Sequence, residues 1–163
     1  MPLGVSAYVA LATNVIASST STVTFAGIPT SGYRDLVLVI DGTATSSSNI
    51  LFRFNGDSGN NYSYAAMFGN GSSQSSFAEA NISSITQAGL NTTISGCSIQ
   101  IMDYSATDKH KSVFIQIYSQ GAVQTTAARW ASTSAINSLT LSPTTGGVTF
   151  NTGTTFTLFG ITS

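Results

Sequence analysis

Few side chains in this chain are able to do acid–base, nucleophilic or metal chemistry. There is one histidine, His110, in the charged run Asp108-Lys109-His110-Lys111. Any Ser-His-Asp or Cys-His arrangement has to use it. Its two lysine neighbours oppose its protonation, so it reads as a solvated loop residue. The single cysteine, Cys97, excludes an intrachain disulfide. Together with His110 alone it is too little for a zinc site, and in its apolar run it reads as a small buried hydrophobe. Glycoside hydrolysis needs two facing carboxylates, to be drawn here from Asp41, Asp57, Glu79 and Asp103. Asp41 and Asp57 adjoin glycines, which suits turn caps. Asp103 lies within loop reach of Lys109 and Lys111. The run Asn55-Gly56-Asp57-Ser58-Gly59-Asn60-Asn61 offers oxygen ligands for calcium, although its low acidic density suits a tight turn better. The chain therefore reads as a non-enzyme with no metal and no cofactor.

Binding chemistry is the alternative. Tyr62, Tyr64, Tyr104, Tyr118 and Trp130 carry faces on which a sugar ring stacks. Aromatics that alternate along β-runs more commonly build a core or an interface. Nucleic acid is an unsuitable partner. Five Lys and Arg against six Asp and Glu make no basic stripe.

The elements that hold these residues are set by composition. Of 163 residues, 42% are hydrophobic and only 7% charged, against about 25% charged in a typical soluble domain. Serine and threonine supply about three residues in ten. Threonine suits a pleated strand, whereas serine, asparagine and glycine favour turns. A hydroxyl surface is cheaper to desolvate than a Lys/Glu surface, provided each hydroxyl finds a partner. A net charge of −1 gives little repulsion between copies. The charges are also unevenly spread: none precedes Arg34 and none follows Arg129. Both neutral ends suit contact with neighbouring subunits. Residues 1–19 lack a basic leader region, and Thr13 and Asn14 interrupt their apolar character. They read as mature structure, an N-terminal arm or first strand. No apolar run is long enough to span a bilayer.

Short β-like runs alternate with turn clusters. Strands are predicted at residues 21–25, 36–40, 50–54, 62–68, 98–104, 113–118, 127–130, 136–141 and 154–161. The run 36–40 (Leu, Val, Leu, Val, Ile) is continuously apolar and predicts a central strand covered on both faces. Residues 77–87 fit a helical turn or a strand equally. Eight to ten strands without helical periodicity predict an all-β fold, an antiparallel β-sandwich. Jelly-roll topology is preferred, with other sandwiches open. Residues 20–163 form one domain.

A family resemblance adds to this reading. Tyr33-Arg34-Asp35-Leu36-Val37-Leu38, Leu51-Phe52-Arg53-Phe54-Asn55-Gly56-Asp57, Asn61-Tyr62 and Gly69-Asn70-Gly71-Ser72 resemble a pattern of tailed-bacteriophage virion proteins. Ile101-Met102-Asp103-Tyr104, Arg129-Trp130 and Phe156-Thr157-Leu158-Phe159-Gly160-Ile161 resemble its later parts. The resemblance implies a virion location and a β-rich capsid decoration (cement) protein. Its expected partners are copies of itself, as a homotrimer, and the major capsid protein or another virion protein. The alternative it implies is a tail-fibre or receptor-binding domain that recognises host glycans. It carries over no catalytic residues. Arg34, Arg53 and Arg129 are expected as ion-paired anchors within or between subunits, since arginine is favoured in interface pairs. Residues 1–19 are expected to dock, with Tyr8 and Val15 as contacts.

Overall fold

The computed structural model describes residues 8–93, 95–119 and 121–162. Every regular element among them is a strand. In chain order these are β1 (Tyr8–Val15), β2 (Val23–Ala26), β3 (Asp35–Gly42), β4 (Ser48–Phe54), β5 (Tyr62–Gly69), β6 (Gln74–Ile82), β7 (Ile85–Leu90), β8 (Ser95–Met102), β9 (Lys111–Ser119), β10 (Ala122–Trp130), β11 (Ser138–Pro143) and β12 (Thr155–Ile161). They form two antiparallel sheets. The large one has the order β1-β12-β3-β8-β9-β10-β5-β6, the small one β2-β11-β4-β7.

The pairing is nested. β1 pairs β12, β2 pairs β11, β3 pairs β8 and β4 pairs β7. The chain is thus a ribbon of four antiparallel pairs folded over on itself, which is the jelly roll. Two hairpins are inserted into it. β5–β6 lies between β4 and β7, and β9–β10 lies between β8 and β11. Both add to the same sheet and widen it from four strands to eight.

The core lies between the sheets. Leu36, Leu38 and Ile40 of β3 face Ile50, Phe52 and Phe54 of β4 across a cluster that includes Ile99, Ile115, Leu139, Leu141, Phe150 and Phe156. At one end Trp130 and Tyr62 stack at 6.3 Å, and Phe54 closes on both rings. Cys97 is buried in this core, where burial pushes its thiol up to about 12.

The structure sharpens three readings. Residues 77–87 are two strands, because β6 ends at Ile82 and β7 begins at Ile85. β6 is exposed along its length, so it shows no apolar alternation. Of the arm and the first strand expected within residues 1–19, residues 8–15 form the strand, β1, at an edge of the large sheet; residues 1–7 lie outside the described residues. Finally, β3 is covered on both faces at Val37, which is 7% exposed, but not at Val39, which is 38% exposed. Both side chains point away from the small sheet.

Candidate interaction surface

Strand register lays out the outer face of the large sheet as four rows crossing all eight strands. One end row runs Val15, Thr155, Asp41, Gly96, Tyr118, Val123, Gly69, Gln74. The next runs Thr13, Thr157, Val39, Ser98, Gln116, Thr125, Met67, Ser76, and the third Ala10, Phe159, Val37, Gln100, Phe114, Ala127, Ala65, Ala78. The far end row carries Tyr8, Ile161, Asp35, Met102, Ser112, Arg129, Ser63 and Ala80.

This face mixes apolar side chains with threonine, serine and glutamine and carries few charges. The large hydrophobic side chains most exposed among the described residues are Tyr8, Val15, Val39, Met67, Phe77, Tyr118 and Val123. All but Phe77 stand on it. Met67 and Val123 are 67% and 64% exposed. Ala65, Ala78 and Ala127 form the floor of a shallow trough of about 580 Å³ between Met67 and Phe114. The opposite side of the sandwich differs. There Thr24, Thr140 and Arg53 make a polar row on the small sheet. Large exposed apolar side chains gathered on one sheet face mark a contact site.

The three expected arginine anchors have different surroundings. Arg34 ion-pairs Asp35 at 3.0 Å within the chain, and the other oxygen of Asp35 accepts the Asp103 N–H at 2.9 Å. Arg53 forms no ion pair among the described residues. Its Nε donates to the Ser83 carbonyl at 2.9 Å, tying β4 to the β6–β7 turn. Arg129 has no hydrogen-bond or ion-pair partner among the described residues and projects from the open face. Tyr8 and Val15 stand on that same face, at the β1 edge. Tyr8 meets Phe159 edge-on at 6.2 Å.

Asp41 is also on the open face and caps no turn. Its carboxylate has no ion-pair or hydrogen-bond partner among the described residues. Strand alternation predicts this: Ile40 points into the core, so Asp41 points out.

The remaining chemical candidates are structural. Asp57 is saturated by donors: Gly59 N–H at 2.8 Å, Asn61 Nδ2 at 2.9 Å and Trp130 Nε1 at 2.6 Å. These bonds use the lone pairs that a calcium ion would need, so the loop is a turn latched to the core. Burial alone would raise the Asp57 carboxyl. The bonds from Trp130, Asn61 and Gly59, with the charge of Arg53, outweigh it and hold Asp57 below 3.8. Lys109 reaches Asp103 at 3.7 Å in an exposed pair. Lys111 does not pair with it. Fully buried, its ammonium donates to the carbonyls of Ala106, Lys109 and Thr133. Tyr62, Tyr64, Tyr104 and Trp130 are core residues, and only Tyr118 of the five aromatics is exposed. No group of three or more His, Cys, Asp and Glu able to hold a metal occurs among the described residues. Nor does a helix long and apolar enough to cross a membrane.

One concave feature lies at the mouth of the sandwich. Ser48, Asn49, Asn91, Ser95, Gln124 and Thr144 line a cleft of about 470 Å³, with Phe68, Leu90 and Ile117 as its apolar part. No charged side chain lines it. No protein-family model, curated protein or solved structure matches the chain.

Proposed function

We propose that this chain is a virion structural protein, a capsid decoration module that works in many copies. The observation that carries this reading is the open eight-stranded face. A sheet face bearing Tyr8, Val39, Met67, Tyr118 and Val123, with almost no charge, is poorly suited to remain in water. In an assembly such a face is buried against other subunits. Multivalency then makes many modest contacts strong in sum, and closed symmetry repeats each contact at every copy. The mechanism is mechanical: the buried face and the hydroxyl-rich rim hold neighbouring subunits together. The resemblance along residues 33–161 supports a phage particle as the setting and the shell as the docking partner.

The test is occupancy on purified shells. Addition of the wild-type chain to undecorated shells is expected to give saturable binding and a shell that withstands greater heating. Val123→Lys, on the open face, is expected to lower occupancy without unfolding the chain. Unchanged occupancy, or binding that never saturates, contradicts the proposal.

The neutral cleft favours a second reading, glycan recognition at a fibre tip. Hydroxyl and amide side chains beside Phe68 and Leu90 suit an uncharged sugar. A glycan array separates the two readings: specific binding abolished by Gln124→Ala supports the fibre tip, and an empty array removes it.

A further inference from the structure

We infer that the open face of the large sheet is a self-association face, covered by a second copy of this chain with Arg129 of one copy on Asp41 of the next. The inference rests on the many-copies part of the proposed function and assigns the surface and its charge pairing.

Four observations converge on a second copy as the occupant. The first is charge. Asp41 and Arg129 are the two charged side chains on this face without an ion partner among the described residues; Asp35 is already held by Arg34. They carry opposite signs.

The second is placement. Asp41 is on the third strand of the sheet in one end row, and Arg129 is on the sixth strand in the other end row. They lie symmetrically about the centre of the face. A copy turned so that its Arg129 meets Asp41 therefore overlaps the whole face rather than a corner. The half with Asp41 also carries Tyr8, Val15 and Val39. The half with Arg129 carries Met67, Tyr118 and Val123. Each half thus offers apolar area and one charge to the other.

The third is area. Eight strands about 4.8 Å apart, crossed by four rows spaced about 6.7 Å, project on the order of 800 Å². A standard interface buries about 800 Å² per partner. A sheet face also has a ready complement in another sheet face, packed at about 10 Å.

The fourth is the residue pattern of β3. Its unbroken apolar run is what a strand buried on both faces carries, yet Val39, at the middle of the outer face, is left 38% exposed while Val37 is buried. A second copy on the face supplies the cover that Val39 lacks among the described residues. Because the two halves complement each other and one copy covers the whole face, the contact closes as a twofold pair.

Charge reversal tests this in purified protein, with no shell present. Wild-type chain, Asp41→Arg, Arg129→Asp, the double reversal and Val39→Glu are compared by sedimentation velocity at low salt, with circular dichroism as the fold control. The wild type is expected to form a discrete oligomer. Each single reversal is expected to weaken association on the order of tenfold, by placing like charges together. The double reversal is expected to restore it to within about threefold of wild type, since it rebuilds the same pair with signs exchanged. Val39→Glu is expected to leave folded monomer. A wild type that stays monomeric overturns the inference, as does a double reversal no better than either single one. Shell occupancy is not read here, so failure of the docking proposal leaves a separate trace.

Discussion

At the scale of single residues, the stability of the sandwich depends on polar groups that have one place to bond. Lys111 is the clearest. Its ammonium is enclosed and held by three backbone carbonyls. Lys111→Ala leaves those carbonyls without their donor and opens a void, so it is expected to cost about 2–4 kcal/mol in urea unfolding. Lys109→Ala, at an exposed pair, is expected to change stability by less than about 0.5 kcal/mol. The charged run containing both lysines does not distinguish them. Strand alternation does, because Lys111 shares its face with Val113 and Ile115. Asp57 makes a prediction in pH. Its folded value lies below the 3.8 of the unfolded chain. The stability it contributes is therefore fully present above pH 3.8 and is lost as pH falls through the lower folded value. Asp57→Asn is expected to flatten the acid limb of the stability curve below about pH 4, and Trp130→Phe to weaken the same limb. An acid limb identical to wild type in both variants contradicts the latch. That Asp57 turns the chain was readable from its glycine neighbours. That its partner is Trp130 was not, since the two are joined only by the fold.

At the scale of elements, the alternating runs identified most strands, and the long-range nesting did not show. Which strand pairs which depends on contacts between residues far apart in sequence, such as Ile50 with Pro143. No local pattern encodes these. The two edges escaped for a different reason. β1 and β6 expose most of their side chains on both faces, so the alternation that reveals a half-buried strand is absent. Gly96 on β8 shows how closely neighbouring strands are fitted. A Cβ there would meet the hydroxyl of Tyr118 and lie 2.7 Å from the Ile40 carbonyl oxygen. Gly96→Ala is expected to destabilise the fold by about 1–3 kcal/mol and to swing Tyr118 off the face. Thermal unfolding checks the first effect, and tyrosine fluorescence anisotropy the second.

At the scale of the whole molecule, the two inserted hairpins decide what the jelly roll presents. They double the width of one sheet and leave its far side open. The arginines chosen from sequence divide accordingly: Arg34 and Arg53 serve this chain's own fold, and Arg129 faces outward. The apolar run of β3 was legible as doubly buried, and within residues 36–40 only Val39 is exposed. The central claim is that the open face is covered when the protein works. The most direct measurement is thiol accessibility at its middle. Gln116→Cys, on the open face, and Thr24→Cys, on the opposite sheet, are labelled with a maleimide in dilute and in concentrated protein. Burial of Cys97 keeps the native thiol out of the reaction. The account predicts that concentration slows labelling at position 116 on the order of tenfold and leaves position 24 unchanged. Equal rates at both positions at every concentration, on folded protein, contradict it.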